Sequence, residues 1–448
     1  MSTADAIAPA DTTKSPEGIK GGRLKAVFGG SVGNLIEWYD WYVYSAFSLY
    51  FAAVFFPSGD QTAQLLNAAA IFSVGFIVRP VGSWLMGVYA DRHGRRNALV
   101  LAMAVMGGSS LMIASIPSYE TIGLAAPILL VVARIAQGLS VGGEYAAVAT
   151  YLSEVAGQKR RGFYGSFQYV TLIAGQLLAL LILVLLQFWL SAEELSSWGW
   201  RIPFVIGAVG AMVAFWIRSS LEETDSFKNM KKRESPADTW GLMRSHPKEL
   251  LFVLGMTMGG ALGFYVFSNY MQKFLVNTSG FSRDESSLIM AMAMIVFMVM
   301  QPVMGWVSDQ VGRKPMFVFY GIGAVLMTFP VMNYLQTATS ATMAFLVISG
   351  ALIVQSTYTS ISGQYKAELF PTAIRALGVG LPYALGVALV GGTAEVVALK
   401  MKQLGNEQLF YWYVTFFMVI VLITAIFMPD TRKNSKIVED HEEGKSGA

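Results

Sequence analysis

Long apolar runs, broken at intervals by short polar stretches, limit what this chain can become. Runs such as 98–116, 202–217, 289–307 and 411–428 carry no charge at all. About 20 mostly apolar residues are enough for a helix to cross a bilayer. Hydrophobic residues make up 54% of the 448 and charged ones 14%. A soluble domain carries roughly 25% charge, so this chain is too poor in charge to cover a water-facing surface of its size. Between polar breaks the sequence gives about twelve spans of helical length, at 25–56, 62–90, 97–116, 122–153, 162–190, 198–219, 246–277, 284–308, 315–336, 341–367, 376–402 and 408–428. Barrel strands would alternate residue by residue over about ten positions, and these runs do not. The predicted fold is an all-α membrane protein of twelve transmembrane helices, embedded in the lipid bilayer.

The one long polar stretch, 220–245, divides the spans six and six. The expected organisation is an N-terminal tail (1–24), a six-helix bundle (25–219), a linker (220–245), a second six-helix bundle (246–428) and a C-terminal tail (429–448). Lys and Arg collect in alternate breaks, at 20–25, 91–96, 157–161, 218–233, 312–314 and 431–436. The intervening breaks at 57–61, 116–123, 191–198 and 333–340 have none, and only Arg283, Lys400 and Lys402 interrupt that pattern. The positive-inside rule then places both termini and the linker in the cytoplasm. The polar N-terminus lacks the basic and apolar regions of a cleaved signal peptide. Asn277-Thr278-Ser279 is a sequon by form, read as a chance match. The net charge is only +3 and sits in loops, which argues against a nucleic-acid partner. With no cysteine, disulfides and thiol chemistry are excluded.

The two bundles repeat each other. Gly87, Asp91, Gly94 and Arg95 recur as Gly305, Asp309, Gly312 and Arg313, each shifted by 218 residues. Tyr151-Leu-Ser-Glu154 with Arg161 recurs as Tyr365-Lys-Ala-Glu368 with Arg375, shifted by 214. Two six-helix repeats joined by a basic loop are the organisation of many secondary transporters, which hold substrate near the midplane between the halves.

Certain motifs carry a specific resemblance. Gly87-x-x-x-Asp91-Arg92-x-Gly94-Arg95-Arg96 resembles the loop signature between helices 2 and 3 of the major facilitator superfamily, and Gly305–Lys314 resembles its second-half echo. Arg134-Ile-Ala-Gln137-Gly138 with Gly142-Gly143-Glu144 resembles the fourth-helix signature. Gly33-Asn-Leu-Ile-Glu37-Trp-Tyr-Asp40-Trp-Tyr-Val-Tyr44, Arg79-Pro80-Val-Gly82, Trp198-Gly-Trp-Arg201-Ile-Pro203-Phe204 and Arg218-x-x-Leu221-x-Glu223-Thr224 are similar to the metabolite:H⁺ symporter family. SLYFAAVFFPSG, GFYGSFQYVTLIAGQLLALL, YMQKFLVNT, YTSISGQYKAELFP and RALGVGLPYA resemble its α-ketoglutarate permease branch. The resemblance spans about residues 24–428 and implies proton-coupled import of a small dicarboxylate across a bacterial inner membrane, with no cofactor and as a monomer. It also implies a gating latch at Gly87, Asp91, Arg92, Gly94 and Arg95 and at Gly305, Asp309, Gly312 and Arg313. Opposite charges and close-packing glycines suit such a latch; the alternative is that the arginines only set topology.

Charged side chains inside apolar spans are costly and commonly functional. The acids are Glu37, Asp40, Glu144 and Glu395; the bases are Arg79, Arg134 and Lys273. By resemblance Asp40 is the proton acceptor, and its distance from Arg134 would set its protonation; the alternative is a permanent ion pair between helices 1 and 4. Glu37, three residues before Asp40, shares its face and competes as proton site. Glu144, ten residues after Arg134, is a further acid on that helix, while Glu395 is read as structural. A dicarboxylate needs fixed cations, and arginine grips a carboxylate bidentately. Arg79 either does this or packs at a helix end. Lys273 either binds the second carboxylate or snorkels to the outer interface, the reading preferred here. Tyr42, Tyr44, Gln137, Gln168, Tyr169, Tyr358 and Ser362 offer neutral hydrogen bonds, although buried tyrosines in bundles are most often packing residues.

Other readings remain open. Citrate, shikimate or proline/betaine are alternative substrates, although the tail lacks the heptads of a coiled coil. The absence of proline from QYVTLIAGQLLALL counts against a drug antiporter. A non-transporting sensor would need a signalling domain. An enzyme would need metal-ligand spacing or a Ser-His-Asp arrangement, and neither occurs.

Overall fold

Inside lipid, backbone groups are satisfied only in helices or in a closed barrel, and the described residues form helices joined by short loops. The computed structural model describes residues 19–93, 95–141, 149, 153, 160–219, 241, 244–371, 374–432, 435 and 436, and among them there is no strand. The spanning helices are α1 (Ile19–Phe55), α2 (Gln61–His93), α3 (Arg95–Ser115), α4 (Ala125–Val141), α5 (Arg161–Trp189), α6 (Ile202–Ser219), α7 (Pro247–Ser279), α8 (Arg283–Val311), α9 (Arg313–Gln336), α10 (Ala341–Glu368), α11 (Arg375–Gln403) and α12 (Gln408–Phe427). Ten meet the length and hydropathy needed to cross a membrane, and α1 and α4 complete the twelve. We call the end where α1 begins and α12 finishes the terminal end, and the other the far end.

Local chemistry sets several boundaries. Ser282 and Glu285 form a capping box that starts α8. Ser191 and Glu194 form another, starting a short helix (Ala192–Ser197) inside the polar break at 191–198. A separate turn, Tyr119–Ile122, precedes the run expected at 122–153 and shares only Ile122 with it. Gly123, at φ +60°, breaks it from α4, a conformation open to glycine at little steric cost.

α7 and α11 are irregular. In α7, π turns at Tyr265–Tyr270 and Leu275–Ser279 flank Met271–Phe274. In α11, Val387–Gly391 is a third π turn. Such turns are often found at functional sites. Two carbonyls at these interruptions find partners in the other half. Gln176 Nε2 of α5 donates to Ser268 O at 2.7 Å, and Ser73 Oγ of α2 to Gly392 O at 2.8 Å.

The halves meet at both ends. At the terminal end α5 and α8 cross with no side chain between them: a Cβ on Gly162 would lie 2.5 Å from Gly305 O, and one on Gly305 would lie 2.5 Å from Gly162 O. At the far end Gln187 Nε2 of α5 donates to Ser287 Oγ of α8 at 3.1 Å, and Asn277 Nδ2 of α7 donates to Thr62 Oγ1 of α2 at 3.3 Å.

Within the first half, α2 and α4 pack equally closely, since a Cβ on Gly138 would lie 2.3 Å from Gly75 O. Overpacking a tight site costs about 1–3 kcal/mol. Gly138→Val should therefore lower the thermal midpoint of detergent-solubilised protein by several degrees. Gly108→Ala, where a Cβ meets nothing within 4 Å, should leave it unchanged. Equal midpoints would show that α2 and α4 are not held by this contact.

Candidate functional site

α1 turns two faces of the sequence WYDWYVY to different neighbours. Asp40 points into the first half, where a Cβ on Gly207 of α6 would lie 2.4 Å from its Oδ1. The carboxylate is 1% exposed. Ser110 Oγ of α3 donates to Oδ1, and Gln137 Nε2 of α4 donates to Oδ2 at 2.7 Å and to Ser110 Oγ at 3.1 Å. Arg134 Nη1 donates to Gln137 Oε1 at 2.7 Å. The alternative reading, a direct Asp40–Arg134 ion pair, is not what the structure holds: Gln137 relays between the two. Arg134 and Gln137 lie three residues apart on α4, and the amide stands between the two charges.

Arg134 lies instead against aromatic faces, its Cζ 4.1 Å from the ring centre of Trp41 and 4.6 Å from that of Tyr44. Arg79 also lies over Trp41, at 3.9 Å, and over Phe76, at 4.5 Å. One indole therefore contacts two guanidinium groups. Cation–π attraction is worth about 2 kcal/mol or more when desolvated, enough to hold each arginine but not to satisfy its N–H groups. Nε and Nη2 of both Arg79 and Arg134 are buried without a hydrogen-bond partner. Buried donors normally have partners, and planar guanidinium edges suit carboxylates. The hydroxyls of Tyr42, Tyr265 and Tyr383 face Arg79, so both halves contribute to its surroundings.

Lys273 does not snorkel. Its side chain is 1% exposed, and Nζ donates to Glu395 Oε2 at 2.7 Å and to Ser45 Oγ of α1 at 2.6 Å. Asn269 Nδ2 also donates to Glu395 Oε2, at 3.3 Å. Asn269 also lines a water-sized cavity of about 10 Å³ between the halves, together with Tyr42, Ala46, Gln176, Leu180, Ser268 and Gln272.

The remaining predicted residues are more scattered. Tyr44 donates its hydroxyl to Ala68 O at 3.0 Å. Gln168 packs against Gly363 of α10. Tyr169 meets Phe264 edge-on, and Tyr358 packs on Tyr320 and Phe317. Glu37 is buried, and among the described residues it makes no hydrogen bond to the Asp40 group. Glu144 and Gly94 lie outside the described residues, as do the surroundings of Gly87 and the side chains of Asp91, Arg92 and Arg95.

The second copy of the latch motif is described in full. Asp309 accepts from the backbone N–H of Gly162 (2.8 Å) and Phe163 (2.9 Å), capping α5 of the other half, and is paired with Arg313 at 2.9 Å. Anions are stabilised at helix N-termini. Arg313 and Arg161 each lie 3.8 Å from Glu368 Oε1. Gly312, at φ +105°, ends α8 beside Asp430. The sequence repeat had matched Glu368 with Glu154 and Arg375 with Arg161, and had not marked Arg161 and Glu368 as partners across the halves.

The sequence profile described as Major Facilitator Superfamily matches residues 31–381 and again 253–448. The chain belongs to the Major Facilitator Superfamily. It is 49% identical over 415 residues to the alpha-ketoglutarate permease of Escherichia coli K12, covering 93% of this chain and 96% of that protein. It is 31% identical over 397 residues to the citrate-proton symporter of Salmonella typhi, covering 88% and 91%. It is also 31% identical over 428 residues to the proline/betaine transporter of Escherichia coli K12, covering 92% and 85%. The fold is that of the E. coli xylose transporter XylE in a partially occluded inward-open conformation, with a TM-score of 0.74 over 92% of this chain and 99% of that one, at 19% identity. The chain is a multi-pass membrane transporter of this superfamily, not an enzyme.

Gly207 offers a direct test of the carboxylate's placement. Gly207→Ala should push Asp40 off Ser110 and reduce gradient-driven transport at least about tenfold, the effect of about 1.4 kcal/mol lost from a charge-assisted hydrogen bond. Its size-exclusion profile should stay monodisperse. Wild-type transport by this variant would show that Asp40 need not sit there.

Proposed function

We propose that the chain imports α-ketoglutarate, or a closely related dicarboxylate, together with protons by alternating access across a bacterial inner membrane, with both termini cytoplasmic. The observation that carries this reading is the pair of arginines on Trp41, with Nε and Nη2 of each buried and without hydrogen-bond partners. Arg79 binds one carboxylate, aided by Tyr42, and Lys273 binds the other. Asp40 takes the proton, and Gln137 carries its charge state to Arg134. The 49% identity to an alpha-ketoglutarate permease supports the substrate, and the 31% identity to a citrate-proton symporter supports proton coupling. The latch side chains of both repeats hold the terminal end closed until substrate and proton are bound, and the transporter works as a monomer.

Energetics favour more than one proton. A divalent anion entering a negative interior is opposed by about 2.3 kcal/mol per charge per 100 mV. One proton leaves a net charge of −1 to move, and two make the step electroneutral. Glu37 and Glu144 are the other acids in the first half that are able to serve.

The test is uptake of labelled α-ketoglutarate into proteoliposomes under an imposed inward proton gradient, with and without a protonophore. Wild type should accumulate substrate and lose accumulation with the protonophore, and Asp40→Asn should not accumulate. Accumulation by Asp40→Asn would move coupling to another acid. Competition by citrate or betaine, without α-ketoglutarate uptake, would replace the substrate.

A further inference from the structure

Lys273 and Glu395 form a buried ion pair whose surroundings are unlike those of a static cross-link. Both belong to the second half, yet Lys273 Nζ also donates to Ser45 in the first, so one ammonium joins the pair to the closure of the far end. Lys273 stands between two π turns of α7, and Glu395 follows the π turn of α11 by four residues. The backbone on both sides of the pair is therefore already irregular. The water-sized cavity is separated from the pair by Asn269, which lines it and donates to Glu395, and its walls include Gln272 of the same helix and Tyr42, which faces Arg79. On α1, Tyr42 and Ser45 are one turn apart, so the two cations are approached from one strip of that helix.

We propose that Glu395 occupies the place of a substrate carboxylate. An incoming dicarboxylate displaces it from Lys273, and the freed Glu395 takes up a proton. This rests on the dicarboxylate reading above and adds the identity of a second proton site. Chemically, the side chain and the substrate end are the same group, so Lys273 can exchange one for the other while keeping its hydrogen-bond geometry. No covalent bond of the substrate changes. The carboxylate of Glu395 gains one O–H bond to a proton drawn from water on the side of entry. When substrate leaves, that proton departs to water on the opposite side and Lys273 pairs with Glu395 again. Without the proton, Glu395 would be left as a buried charge lacking a cation, which proteins avoid by neutralising the group. Among the described residues, the charged or titratable groups facing Glu395 are Lys273 and Tyr270 of α7 and Tyr44 of α1. α12 carries no charged residue along its length, and the charge that α2 buries, Arg79, lies over the aromatic rings of Trp41 and Phe76. Glu407 near the far end is held by Lys402 and Thr278.

The experiment is calorimetric titration of α-ketoglutarate into the detergent-solubilised full chain, in two buffers of different ionisation enthalpy, which reads the protons taken up on binding. Glu395→Gln should bind at least as tightly as wild type and take up about one proton fewer, as linkage requires. The double variant Lys273→Gln with Glu395→Gln leaves no charge at the site, and carries the test if the single variant does not fold. It should also take up about one proton fewer and bind at least about tenfold more weakly, through loss of a charge-assisted bond. The exchange is overturned if Glu395→Gln takes up as many protons as wild type or binds tenfold more weakly. It is also overturned if the double variant keeps wild-type affinity. No binding of α-ketoglutarate by wild type overturns the substrate reading itself, and the exchange falls with it.

Discussion

A charge buried in lipid must be given a partner by protein, and in this bundle the partners come from neighbouring helices. Asp40 of α1 is held by α3 and α4, and Lys273 of α7 by α11 and α1. The charges therefore decide which helices sit side by side. The apolar surface that makes up most of each helix is interchangeable with lipid and specifies much less. Replacing a hydrogen-bonding side chain at these positions leaves its partner buried and unsatisfied, a larger cost than the bond itself was worth.

The two ends of the halves are closed by different chemistry. At the terminal end, Asp309 accepts from the first N–H groups of α5, where the glycines let α5 and α8 touch backbone to backbone. The contact uses helix N-terminal amides, whose charge is fixed. At the far end, closure uses Lys273, Ser45, Gln187 and Ser287, side chains that can exchange partners. Single hydrogen bonds between exchangeable side chains, with the Lys273–Glu395 pair kept within one half, open at lower cost than a capped helix terminus with an ion cluster around it, so the far end is the easier one to part in this arrangement.

Much of this was legible in the sequence because it follows from counting. Twelve apolar runs, one long polar break and two offset motifs define the fold class before any coordinates. Asp40, Arg134, Arg79 and Gln137 were each legible as candidates for the same reason, though not as one group: polar residues are rare enough inside these spans to stand out. What was not legible is direction. Nothing in the spacing of Arg134 and Gln137 says that the amide turns toward Asp40 while the guanidinium turns to Trp41. Trp41 itself was not singled out, because an indole in an apolar run carries no polar signal of its own. Lys273 near a helix end looks like an interfacial lysine, because Glu395 lies 122 residues further on and periodicity does not connect them. The π turns of α7 and α11 also have no signature in the apolar pattern, yet they set how Ser268 and Gly392 reach the first half.

The charges at the centre suggest why such a bundle would select a dianion with protons. Arg79, Arg134 and Lys273 bring three positive charges against the two carboxylates of Asp40 and Glu395, all five groups being buried. The empty site thus carries an excess of one positive charge among these groups when both acids are ionised. Adding a dianion with a proton on each acid leaves that excess unchanged. Adding the dianion alone would reverse it, and adding the protons alone would triple it. Uncompensated charge in a low-dielectric interior is the most expensive state available to the protein. On this reading coupling does not need a dedicated switch: empty and fully loaded bundles have the same net charge, and the partly loaded ones, which would leak protons or substrate, are the costly states.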